Sequence, residues 1–290
     1  MKVPVKVGGR ELTLSNLDKV LYPDYGFTKA EIIDYYSRIA PVLLPHLQGR
    51  PLTVKRYPNG VTGQSFFEKN APEHTPDWIR RVNLPAPGST KNRETIDFAV
   101  VEDLPTLVYY ANLAALELHV PQWRVDEDGQ ALPPDTLVFD LDPGAPANIV
   151  ECTRVALLLR EVLKNDGLTA RPKTSGGKGM QLYADWDCRE EPSVYAKRLA
   201  QLLEKEHRDQ VVSVMTKKAR PGKVFIDWSQ NNPAKTTVAP YSLRARERPT
   251  VSTPLTWKEV EDCERPDDLV FTAPDVLARV EKRGDLFGRA

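Results

Sequence analysis

Two aspartates stand two positions apart in the stretch VFDLDPG, residues 138–144. Because alternate side chains of a strand share a face, Asp140 and Asp142 would present two carboxylates to one side, about 7 Å apart. Two like charges on one face need a counter-charge, and carboxylate oxygens suit a pair of Mg²⁺ or Mn²⁺ ions. The same residues are also typical of a strand that ends in an Asp-Pro-Gly turn. Taken alone, the motif leaves the metal site and the turn as open alternatives.

A third aspartate follows a second apolar run, in GKVFIDWSQN, residues 222–231. The run from Val224 to Ile226 predicts a strand that delivers Asp227 at its end. Three carboxylates at neighbouring strand ends form the ligand set of a two-metal phosphoryl-transfer site. Asp227 therefore favours the metal site as the interpretation of all three aspartates.

A glycine-rich loop, in TSGGKGMQLY, places Ser175, Gly176, Gly177 and Lys178 between two runs with strand character. Glycines would let backbone N–H groups turn toward an anion, and the lysine adds a point charge. The spacing differs from a Walker A loop and from a dinucleotide-binding turn, and no helix follows. The loop predicts a phosphate-binding site, although a glycine-rich hairpin can also be purely structural.

The tetrapeptide KNDG, residues 164–167, matches the K-x-D-G signature of covalent nucleotidyltransferases such as DNA ligases. Lys164 would lie in the last turn of an amphipathic helix, and Gly167 stands where a C-cap glycine belongs. We therefore interpret this match as the end of a helix.

Positive charge is concentrated around Asp227, although the formal net charge of the chain is zero. Between residues 217 and 248, Asp227 and Glu247 are outnumbered by basic residues, which are Lys217, Lys218, Arg220, Lys223, Lys235, Arg244, Arg246 and Arg248. Such a segment could serve a triphosphate and a nucleic-acid backbone, or it could be a solvated face. Arg244 and Arg246 would share one strand face and could clamp phosphate oxygens.

Aromatic residues accompany charge in the first half of the chain. Lys55 precedes Phe66 and Phe67, whose rings could stack on nucleobases or could belong to the core. His119, in LELHVPQW, could contact a sugar or a phosphate, or it could be a hydrogen-bonded core residue.

The elements that position these residues alternate irregularly between helix and strand. Helices are predicted from Thr28, with Pro41 and Pro45 kinking or ending it; from after Asp103 to about Leu116; and over about 147–164, 192–207 and 274–282. Strands are predicted in PLTVKRYP, DTLVFDLD, TARPKTS, GMQLYADW, VVSVM and GKVFIDWS. Hairpin-like neighbours indicate an α+β fold with mixed or antiparallel sheets flanked by helices.

Composition limits the class of protein. With 41% hydrophobic and 28% charged residues in 290, the chain is long enough for a buried core and is not a disordered chain. No apolar run approaches the length of a membrane-spanning helix. The cysteines, Cys152, Cys188 and Cys263, are odd in number and widely spaced, so neither disulfides nor zinc is indicated. A cytoplasmic, nucleoid-associated protein is expected.

These motifs together resemble the polymerase domain of bacterial DNA ligase D, in the archaeo-eukaryotic primase superfamily. The resemblance runs from LSNLDKVLYP through GRPLTVKRYPNG, FFEKN, LELHVPQW, LVFDLDPG, SGGKG and KVFIDWSQN to KTTVAPYSLRAR. It implies one primase-polymerase domain over 1–290. Within it, a segment of about 1–125 would contact DNA ends and template, about 126–250 would form the metal-binding core, and about 251–290 a helical tail.

The resemblance also implies an activity and a set of roles. Members add ribo- or deoxyribonucleotides to 3′ ends at DNA breaks or gaps in nonhomologous end joining, with two Mn²⁺ or Mg²⁺ ions. Asp140, Asp142 and Asp227 would be the metal ligands. The remaining roles fall to nucleotide-pocket residues (Lys55, His119, Ser175, Gly176, Gly177, Lys178, Gln230, Arg244), base- and template-contacting residues (Phe66, Phe67), a primer-terminus residue (Arg220) and 5′-phosphate-binding residues (Asn16, Lys19, Lys29).

One position departs from the family pattern. Gln181 stands where the family usually has histidine, and a neutral amide should contact a phosphate more weakly. A catalytically weak or silent module that binds 5′-phosphorylated ends is therefore an alternative, and a D-x-D glycosyltransferase is a more distant one. Expected partners are DNA ends with a 5′-phosphate, NTPs or dNTPs, a DNA ligase and a Ku-type end-binding protein.

Overall fold

The computed structural model describes residues 2–86, 94–187 and 190–288, so Cys188 lies outside the described residues. Within them the α-helices are α1 (Lys29–Leu47), α2 (Leu104–Asn112), α3 (Ile149–Asn165), α4 (Pro192–Glu206), α5 (Trp257–Glu261) and α6 (Ala273–Arg283). The strands are β1 (Lys2–Val7), β2 (Arg10–Ser15), β3 (Val20–Tyr22), β4 (Phe27–Thr28), β5 (Thr53–Arg56), β6 (Phe66–Glu68), β7 (Arg81–Pro85), β8 (Thr95–Ala99), β9 (Ala115–Val120), β10 (Thr136–Pro143), β11 (Arg171–Thr174), β12 (Met180–Asp185), β13 (Val211–Val212), β14 (Val224–Asp227), β15 (Thr237–Val238), β16 (Leu243–Ala245) and β17 (Pro249–Val251). The predicted α+β class is confirmed.

The helix starts follow their capping signals. Thr28 caps α1, because its hydroxyl accepts from the N–H of Glu31 at 3.3 Å while the Glu31 carboxylate accepts from the N–H of Thr28 at 2.7 Å. Asp103 caps α2 with a single bond, because its carboxylate accepts the N–H of Thr106 at 2.9 Å. Both sequence predictions of helix starts are therefore confirmed.

The predicted end of α2 was wrong, and of the two outcomes expected from Pro41 and Pro45, a kink or an end of α1, the end did not occur. Helix α1 continues past Pro41 and Pro45 to Leu47, because Leu43 and Leu47 are fully buried and their packing outweighs the lost backbone hydrogen bonds. Helix α2 ends at Asn112 rather than near Leu116, because the chain from residue 115 enters the fully buried strand β9. The short helix α5 was not predicted.

A five-stranded sheet in the order β11-β12-β10-β14-β13 carries the aspartate motifs. Neighbouring strands are antiparallel except for β13 and β14, which are parallel. The side chains of Leu137, Phe139 and Leu141 on β10 pack into one core with helices α3 and α4. Because strand side chains alternate, the opposite face of β10 presents Asp140 and Asp142. Strand β10 extends to Pro143, so Asp142 belongs to the strand and not to a turn.

A four-stranded antiparallel sheet in the order β15-β9-β5-β6 lies beside the first. Leu116, Leu118 and Val54 on one of its faces pack against α1 and α2 in a second core. The two sheets meet through hydrogen bonds, among them one of 2.6 Å between the hydroxyls of Tyr183 and Thr237. A cleft between the two sheets therefore receives polar side chains from both.

The C-terminal segment after α6, which contains Asp285, forms hydrogen bonds to α1 and to the chain just before β16. Asp285 lies 2.9 Å from Nε2 of His46 and accepts the hydroxyl of Tyr241 at 2.7 Å. Burial by itself would raise the pKa of Asp285, but the hydrogen bond and charge of His46 hold the pKa below its ordinary value. Among the described residues, no helix is long and apolar enough to cross a membrane.

Asp285→Ala should therefore lower the free energy of unfolding at pH 7 by about 2 kcal/mol, because it leaves the Tyr241 hydroxyl and His46 without their acceptor. Glu281→Ala is the matched control, since Glu281 is in the same segment and forms only an exposed ion pair with Arg38. Its expected cost is below about 1 kcal/mol. Urea denaturation measures both, and equal losses would contradict the role assigned to Asp285.

Candidate active site

One row of side chains crosses four strands of the five-stranded sheet. Lys173 on β11 is opposite Gln181 on β12, Gln181 is opposite Asp140 on β10, and Asp140 is opposite Asp227 on β14. Asp142 lies two positions along β10 on the same face. The antiparallel register thus brings together the three aspartates that the sequence singled out.

Two carboxylates of this row, those of Asp140 and Asp142, have raised pKa values. Burial raises the pKa of Asp140 to about 7, with the charges of Asp142 and Asp227 adding to the effect. Burial and the charge of Asp227 also raise the pKa of Asp142, although Arg220 and Arg244 oppose the rise. Burial and the neighbouring negative charges therefore make both carboxylates harder to ionise than an isolated aspartate.

Asp227 is turned toward the short 3-10 turn that follows it, residues 228–231. Its carboxylate accepts the N–H of Ser229 at 3.0 Å and the side-chain amide of Gln230 at 2.9 Å. Within residues 2–86, 94–187 and 190–288, no three His, Cys, Asp or Glu side chains are arranged to hold a metal ion as they stand. A cation shared by Asp140 and Asp227 would therefore bind a carboxylate that already accepts hydrogen bonds on both of its oxygens.

A cavity of about 310 Å³ opens beside Asp140 and Asp142. Its lining includes most of the nucleotide-binding residues that the sequence predicted, namely His119, Ser175, Lys178, Gln230 and Arg244, together with Gln181 and Arg246. The cavity thus combines two carboxylates with three basic side chains, which is an arrangement that suits a phosphate chain carrying bound cations.

The glycine loop borders this cavity in a different way from the one expected. The N–H groups of Gly177 and Gly179 donate to Oγ of Ser175, at 3.2 and 3.3 Å, instead of facing an anion. Gly176 has φ +65°, and a Cβ there would lie 2.6 Å from Cγ of Arg244. The glycine therefore permits Arg244 to pack closely on the loop, and the Lys178 side chain of the same loop lines the cavity.

Glu117 is a site residue that the sequence analysis missed. Its carboxylate is 3.0 Å from Nε2 of His119, accepts the N–H of Ala245 at 3.1 Å and lies 3.4 Å from Nε of Arg244. Burial opposes its ionisation, but the hydrogen bond from His119 and the charge of Arg244 lower its pKa to about 2. Burial also lowers the pKa of His119. Two-residue alternation in ELH would have placed Glu117 on the face of His119.

Phe66 and Phe67 are exposed, which excludes the core alternative. Their exposed fractions are 42% and 56%. Nζ of Lys55 lies 5.5 Å from the ring centroid of Phe67, and that ring is 5.5 Å from the ring of His119 in an edge-to-face arrangement. Lys55 is therefore near the cavity through Phe67 and His119, and Phe67 offers stacking surface on that side. Phe66 alternates to the other face of β6, where its ring packs against Arg56.

Arg220 lies near the end of β10 that carries Asp142. Its guanidinium carbon is 3.7 Å from the ring centroid of Phe225, and Phe225 is opposite Asp142 in the strand register. A Cβ on Gly144 would lie only 2.1 Å from the carbonyl oxygen of Arg220. The glycine of VFDLDPG therefore lets the basic segment approach the end of β10.

A second basic cluster contains the residues that were assigned to a 5′-phosphate. Lys29, in the first turn of α1, is buried, and burial together with the charges of Lys19 and Arg56 lowers its pKa to about 8. Nζ of Lys19 donates to Asn59 at 3.1 Å, and Asn16 has φ +51°. In the described part of the chain, no carboxylate lies within 4.0 Å of either lysine amine. Among the described residues, the two amines are thus positive charges without a carboxylate partner near the start of α1.

The KNDG tetrapeptide is the end of a helix, as predicted. Helix α3 ends at Asn165, Gly167 has φ +77°, and its N–H donates to the carbonyl of Lys164 at 3.0 Å. This is the geometry of a C-cap glycine.

Comparison with known proteins places this chain in a family. Residues 28–287 match the family described as LigD, primase-polymerase domain. The multifunctional non-homologous end joining protein LigD of Mycolicibacterium smegmatis is 45% identical over 276 residues, which is 94% of this chain and 35% of that protein. The bifunctional non-homologous end joining protein LigD of Bacillus subtilis is 32% identical over 278 residues, which is 94% of this chain and 43% of that protein.

A solved structure agrees with these relatives. The polymerase domain from Mycobacterium tuberculosis ligase D in complex with DNA has a TM-score of 0.88 and 43% sequence identity, and the match covers 95% of this chain and 96% of that chain. This chain spans well under half the length of the two LigD proteins. On the fold, the site and these similarities, the chain belongs to the LigD primase-polymerase domain family.

Proposed function

We propose that this chain is a nucleotidyltransferase that adds ribo- or deoxyribonucleotides to 3′ ends at DNA breaks or gaps in nonhomologous end joining. The observation that carries the proposal is the row of carboxylates on one sheet face, next to a cavity that Lys178, Arg244 and Arg246 line. Acidic ligands beside a basic phosphate pocket are the parts that phosphoryl transfer requires.

The residues present fit two Mn²⁺ or Mg²⁺ ions. Their donors are carboxylate oxygens, which hard cations prefer, and the raised pKa values of Asp140 and Asp142, caused by burial and by neighbouring negative charge, support a positive ion beside them. Asp140, Asp142 and Asp227 would hold the ions. When bound, the cations would activate a primer 3′-hydroxyl and neutralise the pyrophosphate leaving group.

The other residues bind and orient the nucleotide. Lys178 and Arg244 would bind triphosphate oxygens, and Glu117 keeps Arg244 and His119 in place at the cavity. His119 would contact the sugar, while Phe66 and Phe67 would stack against the base and template. Arg220 would approach the primer terminus. In this arrangement the protein contributes positioning and electrostatic stabilisation.

The second basic cluster supports DNA ends as the substrate. Lys19, Lys29 and Asn16 would bind the 5′-phosphate at the far side of a gap, next to the first turn of α1. A DNA ligase would then seal the filled gap, and a Ku-type protein would hold the ends. The alternative of a silent end-binding module shares this cluster, so binding alone does not distinguish the two.

Primer extension is the direct test of the function. With Mn²⁺ and a gapped, 5′-phosphorylated DNA, the chain should incorporate nucleotides, with rNTPs and dNTPs compared side by side. Asp140→Ala and Asp227→Ala should each reduce the rate at least about 100-fold, because each removes a metal ligand. Asp209→Ala, at an exposed aspartate outside the row, should retain the rate. Wild-type binding without incorporation would favour the silent module instead.

In metal-free buffer, Asp140→Asn should stabilise the protein at pH 8. Since folding raises the pKa of Asp140 from 3.8 to about 7, its contribution to stability is complete below about pH 4 and is lost as the pH rises through 7. The shift corresponds to at most about 4 kcal/mol, and partial exposure reduces the expected gain to roughly 2 kcal/mol. The exposed Asp128→Asn is the control.

Urea denaturation with a chelator, at pH 4 and pH 8, measures this gain. The difference between Asp140→Asn and wild type should disappear near pH 4, where both side chains are neutral. An equal difference at both pH values would contradict electrostatic repulsion within the row.

Lys29→Gln should remove the preference for a 5′-phosphate. We expect about tenfold weaker binding of 5′-phosphorylated gapped DNA and a salt dependence reduced by about one charge, because one phosphate contact is lost. Binding of the same DNA with a 5′-hydroxyl should change little. The exposed Lys6→Gln is the matched control, and fluorescence anisotropy at two salt concentrations is the measurement. Equal effects on both DNAs would contradict a 5′-phosphate site.

A further inference from the structure

Lys173 is a fully buried lysine that the proposed mechanism does not use. Its Nζ donates hydrogen bonds to Oε1 of Gln181 at 2.6 Å, to Oγ of Ser252 at 2.6 Å and to the carbonyl of Val238 at 3.0 Å. Among the ion pairs of the described residues, none includes Lys173. A buried amine without a carboxylate partner is costly, so its place in the row calls for a function.

The bond to Lys173 fixes which way the Gln181 amide points. Nζ of Lys173 donates to Oε1 of Gln181, so the amide oxygen is the atom that faces the amine. Gln181 is almost fully buried, and its other neighbour in the row is Asp140. The NH₂ group is therefore on the other side of the amide, and Asp140 is the residue directly opposite Gln181 on β10.

We propose that Lys173 is a positioning residue which, through the amide of Gln181, holds the Asp140 carboxylate toward the cation site. This inference rests on the proposed function, and it assigns Gln181 a contact with a metal ligand in addition to its place at the nucleotide cavity. Side chains that hydrogen-bond to a metal ligand fix its orientation, and their loss typically weakens metal binding about 10- to 100-fold.

The contacts of Lys173 extend beyond the sheet. Val238 belongs to β15 of the other sheet, and Ser252 follows β17 and also donates to the carbonyl of Thr174. Lys173 therefore fixes the row relative to the segment that carries Arg244. An apolar residue of similar length would fill the space, but it would leave the Gln181 amide free to rotate.

The experiment measures Mn²⁺ binding to the full chain, by the electron paramagnetic resonance signal of free Mn²⁺. Lys173→Met and Gln181→Met should each weaken binding about tenfold or more. The double variant should be no more than about twofold weaker than either single variant, because both break one chain of contacts. Tyr183→Phe, which removes a buried hydrogen bond two residues from Gln181, should bind Mn²⁺ like wild type.

Thermal unfolding of each variant shows whether it is folded. If Lys173→Met does not fold, Gln181→Met tests the same contact from its other end, and wild-type Mn²⁺ affinity in that variant overturns the inference. Wild-type affinity in a folded Lys173→Met, or additive losses in the double variant, also overturns it. If the wild-type chain itself binds no Mn²⁺, the proposed function fails. If the wild type binds Mn²⁺ and the folded variants bind it equally well, only the inference about Lys173 fails.

Discussion

The arrangement of the site depends on holding three carboxylates on one face of a sheet against their mutual repulsion. The antiparallel register places Asp227 directly opposite Asp140, and the alternation of β10 adds Asp142. The opposite face of the same strands is apolar and packs under α3 and α4. A slip of one residue would send the carboxylates into that core, so burial of the apolar face fixes the polar one.

Basic side chains from other parts of the molecule lie around that face, although the net charge of the whole chain is zero. Arg220 approaches from the segment before β14, and Arg244 approaches from β16 and is held by Glu117. Lys173 supplies an amine from within the sheet. Because the net charge is zero, these local positions, and not a global field, would attract a triphosphate and DNA.

Close packing at glycines allows this convergence. Gly144 admits the backbone of Arg220 next to the end of β10, and Gly176 admits the side chain of Arg244 next to the phosphate loop. In both places a Cβ would collide with the basic segment. The glycines therefore act here through the space that they leave, as well as through their backbone freedom.

The sequence by itself determined the local features of the protein. Two-residue alternation predicted the shared face of Asp140 and Asp142, capping residues predicted the starts of α1 and α2, and Gly167 predicted a helix end. Ordered motifs along the chain also predicted the family to which the chain belongs. Each of these depends on residues that are close together in the sequence or on a linear pattern.

Only the tertiary structure decided which polar groups meet. Glu117 contacts Arg244 across 127 positions, and Lys173 contacts Ser252 across 79, so no local pattern could reveal either pair. Packing also overrode Pro41 and Pro45 in α1 and left Phe66 and Phe67 exposed, with Phe67 next to His119. Local periodicity reports which face a side chain takes, whereas the partner of a buried charge is chosen by long-range packing.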